Sequence, residues 1–210
     1  MRTRCMQIVF LLVGVAALMS AKVNAQIDVS ASLYGAFSGS TTGNGIVQST
    51  SNAAGALFEV RRITRPWFGY EGTYSINRAN QAYSYSTVPV SCPTPPVNCS
   101  PVSAAVSANA HELTGDWVAS LKVANLRPFA LAGVGLLFNE PVGEQANTNS
   151  STKPVFVYGL GADWGMLPHL GLRFQYRGNI YKAPGLSTVI NSSGAAMHTA
   201  EPMIGAYFRF

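Results

Sequence analysis

Charge is scarce in this sequence, and the scarcity limits the classes of protein that it can encode. Only 11% of its 210 residues are Asp, Glu, Lys or Arg, whereas 48% are apolar. An ordinary soluble domain carries roughly twice that share of charge, about 25%. The sequence has no basic run with interleaved aromatic side chains, so it offers no case for nucleic-acid binding.

Long hydrophobic runs are also missing. After Met19 the longest apolar run is the ten residues from Phe129 to Phe138, and two of them are glycines. A helix that spans a bilayer needs about 20 apolar residues, so transmembrane helices are excluded. Low charge without such helices favours a membrane barrel, in which half of each strand faces lipid.

Residues 1–25 have the composition of a secretory signal peptide. Two arginines precede an apolar stretch from Ile8 to Met19, and Val23-Asn24-Ala25 offers a small-residue cleavage site. We predict cleavage after residue 25 and one domain over 26–210. That mature part has 11 Lys and Arg against 9 Asp and Glu, a net charge of +2.

Alternation of apolar and polar residues predicts eight strands. They are 27–38, 54–64, 67–77, 109–122, 127–138, 155–165, 169–181 and 198–210. The strand at 127–138 is apolar on both faces, so its orientation stays open. Short connections alternate with long ones at 39–53, 78–108, 139–154 and 182–197. This asymmetry is typical of outer-membrane barrels with both termini in the periplasm. We predict an eight-stranded antiparallel up-and-down transmembrane β-barrel.

A resemblance to a known family supports this fold. The strings Arg127-Pro-Phe-Ala-Leu-Ala-Gly-Val-Gly135, Tyr158-Gly-Leu-Gly-Ala-Asp163 and Leu172-Arg-Phe-Gln-Tyr-Arg177, with the Phe210 ending, resemble the OmpA-type outer-membrane β-barrel family. The resemblance covers residues 26–210 and implies the barrel alone, without the peptidoglycan-binding domain of OmpA itself. Phe208 and Phe210 resemble the C-terminal signal that the barrel-assembly machinery of Gram-negative bacteria recognises.

Outward apolar faces imply an inward charge network. The predicted lumen residues are Glu59, Arg61, Glu71, Glu112, Asp116, Arg173, Arg177, Glu201 and Arg209. Buried charges must be paired, and arginine pairs well with carboxylates. The network is either a polar core that fills a narrow barrel or the lining and gate of a narrow conducting path.

Aromatic residues near the strand ends predict two membrane-interface girdles. The candidates are Trp67 and Trp164 near the short turns, and Tyr74 and Tyr181 near the long loops. The alternative is that they are ordinary strand aromatics, which a soluble β-protein would also have.

Cys92 and Cys99 lie in the longest loop and predict a local disulfide, since export is oxidising. A metal site is the alternative, but no nearby histidine completes a ligand set, and we expect neither metal nor cofactor. A disulfide would stiffen this proline-rich loop and make it the best candidate for external recognition.

Catalysis has little support in the sequence. Only His111, His169 and His198 are available, and His111 and His198 lie near Glu112, Glu201 and Ser193 in a weak constellation. The leading hypothesis is a structural or surface-interaction protein of the bacterial outer membrane. Its surroundings would be outer-membrane lipid and lipopolysaccharide, and its loop partner is unidentified. A narrow pore is the alternative, and a lipid-modifying enzyme is third. A secreted lipocalin-like barrel is a competing fold, but the chain has too little charge for a soluble exterior.

Overall fold

Ten antiparallel β-strands form most of the chain that the structure describes. The computed structural model describes residues 26–65, 67–86, 103–143 and 145–210. The strands are β1 (Gln26–Ser38), β2 (Thr41–Gly43), β3 (Ile46–Thr50), β4 (Ala53–Arg65), β5 (Phe68–Tyr85), β6 (Ser103–Ser120), β7 (Leu126–Pro141), β8 (Ser151–Gly165), β9 (Leu170–Lys182) and β10 (Ala196–Arg209). Within those ranges, no helix has the length and apolar character needed to cross a membrane.

Eight of these strands close into a barrel. Each strand from β4 to β9 is hydrogen-bonded to the next strand in the chain, and β1 pairs with both β4 and β10. Because every pairing is antiparallel and the first strand meets the last, the ring of eight strands has no open edge. The predicted eight-stranded antiparallel barrel is confirmed.

Successive residues of each barrel strand point to opposite faces, as the two-residue period of a strand requires. On β9, for example, Arg173 is fully buried while Phe174 is 44% exposed. The orientation of β7, which the sequence left open, is now fixed, since Arg127 and Phe129 lie inside. The apolar residues at even-numbered positions of β7 face outward and form part of the outer surface.

The outer surface carries an apolar band, which along β5 is bounded by charged residues. Along β5 the outward positions from Phe68 to Ile76 are uncharged, and they lie between Arg65 before the strand and Arg78 further along it. These nine residues span roughly 23 Å along the barrel axis, at about 3.3 Å per residue and a tilt of about 40°. That height agrees with the apolar band of about 25 Å that outer-membrane barrels have.

The two ends of the barrel differ in their connections. At one end, called here the turn end, short connections join β4 to β5, β6 to β7 and β8 to β9. At the other, called the loop end, the prediction of a single long loop at 78–108 is wrong, because β5 continues to Tyr85 and β6 begins at Ser103. The predicted loop at 39–53 contains the β2–β3 hairpin. Its Asn44-Gly45 turn has positive φ at both residues, as a type I′ turn requires.

Candidate functional site

Most of the chain's acidic residues are gathered inside the barrel. Seven of the nine acids in the sequence occupy inward positions together with five arginines. Of the nine residues predicted for the lumen, the structure buries all but Arg209, which is partly exposed at the turn end. Sequence reasoning missed three inward charges, which are Asp28, Arg127 and Asp163.

Arg173 and Arg61 organise one cluster of ion pairs. The Arg173 guanidinium donates to both oxygens of Asp163, at 2.6 and 2.9 Å, and also binds Glu59. Arg61 donates to Glu71 at 2.7 Å, and its guanidinium lies 4.0 Å from the centre of the Phe129 ring. Both arginines are fully buried, so these contacts replace the water that a charged guanidinium would otherwise bind.

Arg177 organises a second cluster nearer the loop end. Its guanidinium lies 3.3 Å from Asp116 and 3.6 Å from Glu112, and it donates to the Thr114 hydroxyl at 3.1 Å. Glu71 connects the two clusters, because its other oxygen lies 3.9 Å from Arg177. The charged interior is therefore one continuous network across several strands.

Two cavities lie on either side of this network. The smaller has a volume of about 30 Å³ and is lined by Glu112, Glu201 and Tyr181 among others. The larger, of about 350 Å³, opens at the turn end and is lined by residues that include Arg127 and Arg209. No residue lines both cavities, and the ion-pair network borders each of them, with Glu112 on the smaller and Asp163 on the larger.

The loop end has an apolar core of its own. The segment 183–195, between β9 and β10, places Leu186 and Ile190 against Ile46, Tyr83 and Val106, and both Leu186 and Ile190 are fully buried.

Hydrogen bonds hold this segment across the mouth of the barrel. The Tyr83 hydroxyl donates to the Pro184 carbonyl at 2.9 Å and accepts from the Leu186 amide at 3.1 Å. Burial raises the pKa of the Tyr83 phenol, so it remains a donor at neutral pH. Gln48 donates to the same carbonyl at 2.8 Å and accepts from the Ser193 amide. The β2–β3 hairpin therefore anchors the segment.

The histidines do not form a catalytic group with the nearby acids. His111 and His198 lie on the outer face, where they form hydrogen bonds with Tyr74 at 2.8 Å and Tyr158 at 2.9 Å. Glu112 and Glu201 point into the barrel, because they follow these histidines by an odd number of residues.

The other residues of that constellation also have structural partners. The Ser193 amide and hydroxyl are both directed at the Gln48 side chain. At the turn end, the Nδ1 of His169 donates to the Arg209 carbonyl at 2.9 Å.

Three of the four predicted girdle aromatics lie on the outer face. Trp67 and Trp164 are about half exposed at the turn end, and Tyr74 is partly exposed. Trp117, which sequence patterning did not single out, joins them at 61% exposure. The assignment of Tyr181 is wrong. Its side chain is buried and bonded to the Thr199 hydroxyl at 2.9 Å, since it shares the inward parity of Arg173 and its neighbours on β9.

The remaining predicted features lie at the chain's ends and in its longest loop. Phe208 and Phe210 are exposed on the outer face at the turn end, and their rings meet edge to face with centroids 5.0 Å apart. Cys92, Cys99 and the signal peptide at 1–25 lie outside the described residues. The disulfide and the assembly signal therefore stay predictions.

Two comparisons by sequence find no match to this chain. No protein-family model matches it. No curated protein matches it either.

Solved structures, in contrast, share its fold. Neisserial surface protein A is 12% identical, with a TM-score of 0.57 over 90% of this chain and 100% of its own. The attachment invasion locus protein Ail of Yersinia pestis, in complex with the heparin analogue sucrose octasulfate, is 13% identical, with a TM-score of 0.54 over the same shares. The outer membrane protein OprG of Pseudomonas aeruginosa is 8% identical, with a TM-score of 0.53 over 89% of this chain and 96% of its own. The chain thus has the fold of the small, OmpA-like eight-stranded outer-membrane β-barrels.

Proposed function

We propose that this protein is a closed outer-membrane anchor that presents an ordered β-sheet platform outside the cell. In this proposal residues 1–25 are removed on export, and the barrel-assembly machinery recognises the end of β10. The turn end and both termini then face the periplasm, and the loop end is extracellular. The apolar band lies in outer-membrane lipid, and lipopolysaccharide surrounds its outer half. The role is structural or interactive and requires no catalysis.

The apolar core at the loop end carries this proposal. A barrel that only spans the membrane needs no buried apolar side chains above the band, yet Leu186 and Ile190 are both fully buried there. They are held by strands β3, β5 and β6, which continue beyond the band. Such a core stiffens the base of the connection between β5 and β6. A stiff base lowers the entropy lost when a partner binds, which favours a surface-interaction role.

Replacement of the connection between β5 and β6 tests the interaction role. Residues 87–102 are replaced by a Gly/Ser linker of equal length in cells that display the protein, and adhesion is measured on heparin-coated plates and on epithelial monolayers. We expect adhesion to fall to the level of cells without the protein, while the heat-modifiable gel shift of the folded barrel persists. Unchanged adhesion on both surfaces, or adhesion no greater than that of cells without the protein, would overturn the role.

Single-channel recording tests the alternative of a narrow pore. The ion-pair network between the two cavities favours a closed interior, so we expect a folded but silent barrel in planar bilayers. Discrete conductance steps that change in Arg173→Ala or Arg177→Ala would establish a conducting path and make transport the leading function.

A further inference from the structure

The turn end of the barrel holds a cavity with an excess of positive charge. Its volume is about 350 Å³, and Lys122, Arg127 and Arg209 all line it. Asp163 is the one carboxylate in this lining, and it accepts hydrogen bonds from Arg173 at 2.6 and 2.9 Å and from Arg61 at 3.4 Å. Its charge is therefore already matched by arginines that lie deeper in the barrel.

Arg127 lines this cavity with most of its side chain buried and one of its donor groups unpaired. Its side chain is 10% exposed, and its Nη2 donates to the Gln26 side chain at 2.9 Å. Its Nη1 has no hydrogen-bond partner among the described residues and is enclosed by protein atoms, so the exposed tenth of the side chain is the part that faces the cavity. In its ion pair with Asp28, this Nη1 lies 4.0 Å from the Oδ2 atom of the carboxylate.

Asp28 does not satisfy Arg127, because it is already bound to Arg209. The Arg209 guanidinium donates to the two Asp28 oxygens at 2.9 and 3.4 Å and lies 5.0 Å from the centre of the Tyr207 ring. Arg209 is thus fixed beside the cavity by its own partners. The Asp28–Arg209 pair does not require Arg127, so it can persist when Arg127 is replaced.

We propose that this cavity is a binding site for a compact oxyanion, a carboxylate or a phosphate, with Arg127 as its main contact. A guanidinium presents a planar fork of donors that matches both groups, and a charged hydrogen bond in a partly buried site is stronger than one in water. Arg209 and Lys122 add positive charge to the same lining. A volume of about 350 Å³ lies at the small end of ligand pockets. The site stands independently of whether the barrel conducts.

The turn between β8 and β9 limits which anions fit. Met166 and Leu167 line the same cavity as its charged residues. A small organic acid can place its carboxylate on Arg127 and its carbon chain against these two side chains, whereas inorganic phosphate can use the charged wall alone. The relative affinity for these two probes therefore identifies the chemical class of the ligand.

Anion titration of the purified barrel in detergent micelles tests the site. The probes are inorganic phosphate, succinate and the neutral succinamide, at constant ionic strength set with chloride. The readout is the NMR shift of the Arg127 side-chain Nε–H and of the Asn125 and Gly165 amides. We expect saturable shifts with phosphate, with succinate or with both, and none with succinamide. A response to phosphate alone assigns a phosphate ligand, and a response to succinate alone assigns a carboxylate.

Substitutions then locate the binding group. Arg127→Gln is expected to weaken binding about tenfold or more, and Arg127→Lys less, because lysine keeps the charge but not the fork. Arg65→Gln is the matched control, since Arg65 is exposed at the same end but does not line the cavity. If Arg127→Gln does not fold, Lys122→Gln replaces it and is expected to weaken binding by a smaller factor. Shifts that do not saturate, equal shifts with succinamide, or an equal loss in Arg65→Gln would overturn the proposal.

Discussion

Arg173 and Asp163 occupy directly opposed positions on the neighbouring strands β9 and β8, and their side chains form two hydrogen bonds inside the barrel. Arg61 and Glu71 are likewise opposed on β4 and β5 and are joined by one hydrogen bond. Opposed residues of an antiparallel pair have Cβ atoms about 5 Å apart, so a buried ion pair at such positions fixes the register of the two strands. The network therefore holds the barrel together as well as filling it.

Loss of Arg173 should strongly destabilise the barrel. Arg173→Met leaves Asp163 and Glu59 buried without their main partner, and breaking a buried ion pair in this way costs about 3–5 kcal/mol. Urea unfolding of the barrel in lipid vesicles, followed by tryptophan fluorescence, measures the change. Arg65→Met is the control at an exposed position, where we expect a change within about 0.5 kcal/mol. Equal stability of the two variants would contradict a structural role for the network.

Replacement by glutamine should affect the free energy of unfolding differently at Glu201 and at Glu71. Glu201 is buried, and its Oε2 has no hydrogen-bond partner among the described residues, whereas Glu71 accepts from Arg61 at 2.7 Å. Because the seven inward acids outnumber the five inward arginines, Glu201→Gln should leave the free energy of unfolding unchanged or raise it. Glu71→Gln should lower it by about 1.5–3 kcal/mol, the worth of a charged hydrogen bond. The same urea experiment compares them, and a loss in Glu201→Gln as large as that in Glu71→Gln would refute the distinction.

The barrel could be predicted from sequence because most strands obey one simple rule within the apolar band. A residue that faces lipid must be apolar, so the alternation on β9, from Leu170 to Ile180, shows which side chains face inward. Asp28 could have been found by the same rule, since it shares the parity of Ser30 and Ser32. Arg127 could not be found in this way, because β7 is apolar on both faces and its inward face carries Phe129 and Leu131.

The loop end could not be predicted because no lipid constrains it. Residues 78–82 of β5 are mainly polar on both faces, so periodicity gives no strand signal there, and pairing with β3 and β6 determines their structure instead. The turn-end cavity could not be predicted either. The charge of this cavity depends on the distance between Arg127 and Asp28 in the folded chain, and no sequence spacing encodes that distance.

Leu186 should be required for the structure of the loop end and dispensable for the barrel. Leu186→Ser removes a fully buried apolar side chain from the apolar core beneath segment 183–195. We expect this segment to become sensitive to added protease while the heat-modifiable gel shift of the barrel persists. Val189→Ser is the matched control, because Val189 belongs to the same segment and is 57% exposed. Equal protease sensitivity of the two variants would show that the apolar core does not hold the segment in place.

Two leucines of nearly equal exposure should differ in their tolerance of charge if the band lies in lipid. Leu160 is 64% exposed in the middle of the outer face of β8, and Leu121 is 65% exposed in the turn after β6. Arginine at the midplane of a lipid-facing surface costs about 2–4 kcal/mol, whereas near the interface it costs about 0–1 kcal/mol. Leu160→Arg should therefore destabilise the barrel in vesicles much more than Leu121→Arg. In a barrel with a water-exposed exterior both substitutions would be tolerated equally, so equal urea midpoints would argue against the membrane placement.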